Sequence, residues 1–289
     1  MDPKDEARKL LEEVGISSLP IIPRKICEQL GIEYFEKPLN QIDGLLVIGA
    51  LHGMICVNSL IMENGRKNFT GAHELGHYCM DGLETNKFFC PRNVIGATAT
   101  SSNNSPMELR ANEFAAELLM PRSLYQDIVD SHEPGWDGIK ILSGMSETSD
   151  LATMIRYLDL TDEKCAMLVC ENGKIAWFRK SKTFNLYINM DSRYVSEDTP
   201  AFKALHGGFP EESFESVRAD KWVTGHQINK YSEILEWALP MNPYGQVFTL
   251  LYDEEGLGDY EEEDDGEGRN QKDDDWPWEP PTFHKSKRR

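Results

Sequence analysis

Asn68-Phe69-Thr70-Gly71-Ala72-His73-Glu74-Leu75-Gly76-His77-Tyr78-Cys79 sets two histidines four residues apart, with a glutamate directly after the first. On an α-helix four residues advance roughly 400°, so the imidazoles of His73 and His77 leave nearly the same face, one turn apart. That spacing lets both bind one metal ion. Glu74 stands roughly 100° around from His73, where it can reach a water on that metal without filling a coordination position. Thr70 is the expected N-cap of this helix and Gly82 its expected stop. H-E-x-x-H fixes only three positions, and a solvated helix with two incidental histidines satisfies it equally. Gly76 argues for more, because a mid-helix glycine costs about 1 kcal/mol relative to alanine, which makes sense where another element must come close to that backbone.

A catalytic zinc takes three protein ligands and keeps a fourth position for water. The best candidate for the third is Glu108, in Glu108-Leu109-Arg110-Ala111-Asn112-Glu113-Phe114-Ala115-Ala116-Glu117-Leu118-Leu119-Met120-Pro121. Read as a helix opened by Ser105-Pro106, with proline at its first position, this stretch has an apolar stripe of Ala111, Phe114, Ala115 and Leu118. Glu108 and Asn112 align on a flanking face. Ser105 and Glu108 also form a capping box, so spacing alone leaves the Glu108 carboxylate divided evenly between metal and cap. Glu113 and Glu117 fall on other faces and read as solvated charge. Asp81, Cys79 and Cys90 are weaker ligand candidates.

Asn68 through His77, followed by Glu108 through Pro121, resembles the ImmA/IrrE family of zinc metallopeptidases. The family's hallmark is close to R-F-T-x-A-H-E-L-G-H and then E-x-x-A-N-x-F-A-A-x-L-L-M-P. The resemblance implies Zn2+ bound by His73, His77 and Glu108, with Glu74 as catalytic base; Asn112, beside Glu108 on the same helical face, is expected to steady that carboxylate. It also implies a characteristic substrate, a helix-turn-helix transcriptional repressor whose cleavage releases mobile-element or stress-response genes. Asn68 departs from the family, which often has a basic residue there; Arg66 and Lys67 sit just before it. The likeness continues more weakly through 150–158, 166–181, 234–251 and 278–283.

Outward from these motifs, the expected fold class is α+β. A zincin-like peptidase domain with a two-helix metal site (1–125) is followed by a helical segment (126–162), a smaller α/β domain that regulates or docks substrate (163–252), and an acidic disordered tail (253–289). Ala7, Leu10, Leu11 and Val14 recur at helical spacing, and Pro23 to Gly31 frames a second short helix. Gly44–Ile48 and Gly53–Asn58 read as a hairpin, with Asn64-Gly65 turning the chain toward the metal helix. Residues 86–104 read as one long loop. Helices are expected at Leu124–Ile128, Leu151–Leu160 and Ile228–Leu239, a hairpin around Asn172-Gly173, and a strand at Val247–Tyr252. Trp177, Trp222 and Trp237 read as core. Tyr78 is either a donor to the reacting oxygen or, more simply, a helix residue packed on its neighbours.

The chain has 289 residues, 40% of them hydrophobic and 27% charged, the balance of an ordinary folded protein. Met1-Asp2-Pro3-Lys4-Asp5-Glu6 has no basic region leading into an apolar one, and no apolar run approaches spanning length, so cytoplasmic location and no membrane contact are expected. Six scattered cysteines, none in a C-x-x-C pair, are expected to be free thiols. The net charge of −19 opposes direct contact with nucleic acid. Residues 253–289 hold fourteen Asp or Glu against six Lys or Arg, a balance of −8 that leaves −11 for the rest. The tail also carries Trp276, Trp278 and Phe283, bulky side chains fit for docking on a partner in a segment with too few aliphatics to fold.

Two rivals to a peptidase follow from the same residues. One is an anti-repressor that sequesters its protein partner and keeps zinc as a structural element; the presence of Glu74 speaks against it. The other is DNA binding through 146–160, whose second helix has Arg156 as its single basic residue. A thiol at Cys79 or Cys90 capping the zinc until oxidised is a further regulatory option.

Overall fold

The structure, a computed structural model, describes residues 2–49, 53–82, 87–91 as backbone, 105–190, 194–208, 213–225, 227–241 and 245–259. It is of mixed α+β class, and the described residues divide into two compact units, one of residues up to 131 with 137–156 and the other of 132–136 with 157–259.

In the first unit, Asp2 caps helix α1 (Pro3–Glu13), whose Ala7, Leu10 and Leu11 are buried. Helix α2 (Pro23–Gln29) starts on its proline. Strands β1 (Glu33–Lys37), β2 (Ile42–Ile48) and β3 (Gly53–Asn58) follow, then helix α3 (Asn64–Asp81), strand β4 (Lys87–Pro91) and helix α4 (Pro106–Leu119). Helices α5 (Arg122–Asp130), α6 (Trp136–Ser146) and α7 (Asp150–Leu160) come next, with Trp136 and Tyr157–Leu160 counted in the second unit. The sheet order is β1-β3-β2-β4. The expected hairpin forms, Ile48 opposite Gly53 and Gly44 opposite Val57. β1 adds parallel to β3, and β4 antiparallel to β2.

Three expectations here change. The helix of His73 and His77 begins at Asn64, not Thr70, and Thr70 is a buried interior residue whose hydroxyl donates to the Arg66 carbonyl. A threonine at this position can hydrogen-bond within the helix as well as cap one. The stretch 86–104 is not all loop, since Lys87–Pro91 pairs with β2; 92–104 lies outside the described residues. Between the two helices expected around 124–160 there is a third, α6, which buries Gly138, Ser143 and Ser146. These poor helix formers are small enough to pack, and packing overrides propensity.

Helix α3 lies on β2 and β3 and packs most closely along α4. Gly76 sits at this seam: a Cβ there would lie 3.0 Å from the Phe114 ring of α4. The close approach that a mid-helix glycine implied is therefore this ring, and it brings the polar faces of α3 and α4 together.

The second unit is built on an antiparallel sheet of order β6-β5-β11-β10-β8. Its strands are β5 (Cys165–Glu171), β6 (Lys174–Lys180), β8 (Glu215–Arg218), β10 (Glu233–Met241) and β11 (Gln246–Tyr252). Short strands β7 (Tyr187–Ile188) and β9 (Val223–Thr224) pair separately, and helix α8 (Pro200–Leu205) packs on β10 and β11. The β5–β6 hairpin turns at Asn172-Gly173, both at positive φ. The segment expected as a helix at 228–239 is instead mostly strand β10, paired with β8 and β11. Trp177, Trp222 and Trp237 are buried, as expected. Of the tail, Trp276, Trp278 and Phe283 lie outside the described residues, as does everything beyond Asp259.

Candidate metal centre

Helix α3 is polar where most helices facing a sheet and a second helix are apolar. His73, Glu74, His77 and Asp81 are all fully buried. Burying four ionisable groups without compensation is expensive, so their partners decide what the arrangement is for.

His73 Nε2 lies 3.0 Å from Glu108 Oε2, His77 Nε2 lies 3.4 Å from the same oxygen, and the two Nε2 atoms are 3.1 Å apart. On the far side of each ring, Nδ1 is already engaged. His73 Nδ1 faces Asn112 Oδ1 at 2.9 Å and His77 Nδ1 faces Asp81 Oδ2 at 3.0 Å. Since an amide oxygen and a carboxylate can only accept, each Nδ1 carries a hydrogen and each neutral imidazole turns its Nε2 lone pair toward Glu108. Two lone pairs and a carboxylate oxygen then converge, an arrangement that needs a cation. Metal–ligand distances of about 2.0–2.1 Å place tetrahedral ligand atoms about 3.3 Å apart, close to the three separations observed. His73, His77 and Glu108 together could hold a metal ion.

Without a metal, protons fill part of this role. Burial lowers the His73 pKa, and the hydrogen bond that its protonated ring would donate to Glu108 does not reverse it. Burial also opposes charge on His77, but Asp81 and Glu108 outweigh it and raise its pKa to about 9. For Glu108 burial acts upward, and the hydrogen bonds with His73 and His77 overcome it, holding the carboxyl at about 2. The cluster is thus a carboxylate facing one protonatable and one neutral imidazole, and a metal would displace the proton.

Glu108 keeps only half of its capping box. Ser105 Oγ accepts from the Glu108 backbone N–H at 3.3 Å, while the Glu108 side chain turns to the histidines. Asn112, expected to steady Glu108, instead holds His73. Asp81, considered as a ligand, cannot act on the same metal, because it binds the nitrogen of His77 that points away from it. Glu74 lies between α3 and β2, where a Cβ on Gly44 would fall 2.1 Å from its Oε1. The absence of a side chain at 44 makes room for this carboxylate. Tyr78 packs on β3, where a Cβ on Gly53 would come within 2.7 Å of its ring, so its packing role is the one seen.

The remaining candidates separate from the centre. Glu113 is exposed, as expected, but Glu117 is buried. It accepts from Arg156 and, at 3.0 Å, from Arg8, joining α4 to α7 and α1. Arg156 also donates to the Met120 carbonyl, so the single basic residue of the supposed DNA-reading helix is committed inside the fold. Burial pushes the Cys79 thiol up to about 12, which keeps it protonated and a poor ligand. The Cys90 side chain lies outside the described residues. Sequence reasoning missed Gly44 and Arg110, whose guanidinium binds Asp81 Oδ1. Asp81 itself carried a signal, since 73, 77 and 81 share one helical face.

Fold and centre together define a chain with a His–His–Glu group on two helices beside a buried carboxylate. Residues 27–135 match the Peptidase_M78 family, described as the IrrE N-terminal-like domain. The matched stretch contains both motifs that resemble the ImmA/IrrE family. No curated protein matches it in sequence. Among solved structures, a Mycobacterium tuberculosis transcriptional regulator is similar in fold, with a TM-score of 0.51 and 14% identity over 87% of this chain and 76% of its own.

Proposed function

We propose that the protein is a zinc-dependent endopeptidase, with His73, His77 and Glu108 as metal ligands and Glu74 as general base. The observation that carries this reading is the convergence of three electron-rich atoms beside a buried carboxylate that is not itself one of them. A zinc ion held by these residues would polarise a peptide carbonyl and lower the pKa of a bound water from 15.7 to about 7. Glu74 takes the proton of the attacking water on its carboxylate and delivers it to the departing amine. Asn112 and Asp81 fix the two imidazoles so that their Nε2 atoms stay aimed. The Gly44 backbone leaves room for the base to reach inward.

In this reading residues 1–125 form a zincin-like peptidase domain, 126–162 a helical segment and 163–252 a unit that regulates or docks substrate. The substrate is a helix-turn-helix repressor, cut in the cytoplasm, with no direct contact to nucleic acid. The family match and the mixed α+β fold support the peptidase, and no described helix is long and apolar enough to cross a membrane. The test is Glu74→Gln, which keeps the ligands and removes the base. Zinc content measured by atomic absorption is expected to match the wild type while cleavage of a candidate repressor disappears. Equal cleavage by both proteins would remove Glu74 from the chemistry; equal relief of repression with no cleavage by either would favour the sequestering anti-repressor.

A further inference from the structure

Asp81 occupies the last position of α3, with Gly82 as C-cap, and is fully buried. As a structural choice this is poor. A carboxylate at a helix C-terminus faces the negative end of the macrodipole, and the last turn of α3 has no basic residue to offset it. Burial adds to the cost. Two contacts answer it. One oxygen accepts from His77 Nδ1 at 3.0 Å; the other binds the Arg110 guanidinium. Arg110 comes from α4, two residues after Glu108 and two before Asn112. One turn of α4 thus supplies a candidate ligand, the hydrogen-bond partner of His73, and the cation that holds the partner of His77. Arg110 falls in a variable position of the E-x-x-A-N phrase, so this last contact is not contained in the family motif.

We propose that Arg110 and Asp81 form a positioning relay for the metal centre: Arg110 fixes the Asp81 carboxylate, which holds the His77 ring with Nε2 directed at the ion. The relay rests on the metallopeptidase reading and acts through His77, without touching substrate. Asymmetry between the histidines follows. His73 is aimed by a neutral amide, whereas His77 is aimed by a carboxylate that strengthens it as a donor to the metal. Gly82 fixes where the relay begins, because a Cβ there would strike the Tyr78 carbonyl at 2.7 Å and the Ile48 side chain at 2.9 Å.

The test is zinc affinity, read by competition with a chromophoric chelator on metal-free full-length protein. Thermal unfolding of each metal-free variant is recorded beside it. Asp81→Ala is expected to weaken zinc about 10- to 100-fold, and Arg110→Ala to weaken it by a smaller factor. Arg110→Lys should recover most of the loss by restoring the cation. Arg110 is suitable because its side chain is 43% exposed, so its truncation leaves the core intact even if Asp81→Ala does not fold. Wild-type affinity in Arg110→Ala overturns the relay, and so does a loss that lysine does not restore. A wild-type protein that binds no zinc overturns both the metallopeptidase reading and the relay. One that binds zinc equally with and without Arg110 overturns the relay alone.

Discussion

At position 44, one hydrogen stands where other residues carry a Cβ, and the place of the Glu74 carboxylate depends on it. A methyl group there would lie 2.1 Å from Glu74 Oε1 and 2.9 Å from Thr70 Cγ2. The glutamate is the more easily displaced of the two, being the free end of a flexible side chain. If Glu74 is the base of a zinc peptidase, Gly44→Ala is expected to leave the zinc content unchanged and to lower kcat about 100-fold, the effect of moving a catalytic group by about 1 Å. Steady-state cleavage together with metal analysis measures this, and full activity in the variant would show that the base works from elsewhere. Nothing in the sequence identified Gly44, because its importance comes from a helix that crosses it thirty residues later in the chain. His73, His77 and Glu74 were legible since one helical turn relates them. Glu108 was legible only as a choice between cap and metal. In the structure Ser105 caps the helix while the Glu108 carboxylate turns toward the two histidines.

Among the elements, strands announced by a turn or by a run of strand-forming residues were readable, and a stretch that suits strand and helix alike was not. The β2–β3 and β5–β6 hairpins follow from their turns. Strand β10 has Ile234 and Ala238 buried on one face and Trp237 on the other, and a mostly apolar run of this kind, interrupted only by Glu236, fits a buried strand or a helix equally well. Glu117 was misjudged for another reason. Its helix is covered by α1 and α7, whose arginines come from far away in sequence.

Strand β10 also places Glu236 inside the second unit, where it accepts from the Ala201 N–H at 2.8 Å and from the Trp222 indole. Burial raises its pKa to about 7, against the lowering effect of those two donors. The unfolded chain releases this proton near the ordinary carboxylate value of 4.5. Between these two values the folded state binds more protons than the unfolded one, so stability falls as pH rises through the window and levels off above it. The full span is on the order of 3 kcal/mol. All tryptophans among the described residues belong to this unit, so urea unfolding followed by their fluorescence reports on it. The midpoint is expected to fall from pH 5 to pH 7.5 in the wild type and to stay level in Glu236→Gln. A slope that persists in the variant would assign the effect to another group.

At the scale of the whole molecule the governing quantity is charge. The chain carries −19, of which −8 belongs to residues 253–289, so a basic DNA-binding protein is drawn toward it while a DNA duplex is repelled. If such a repressor is the substrate, attraction over a Debye length of about 10 Å at 0.1 M salt speeds encounter. Encounter enters kcat/KM and not kcat. Raising salt from 50 to 500 mM should therefore lower kcat/KM for a basic repressor severalfold and leave kcat nearly constant, whereas an uncharged peptide spanning the same cleavage site should show little change in either. Removing residues 260–289 takes away ten acidic and six basic side chains, a net of −4, and should reduce the salt dependence in part. The two substrates separate causes that a single profile would confuse: a salt effect on both would indicate a disturbed metal centre, and a salt effect on neither would mean that the acidic surface takes no part in choosing the partner.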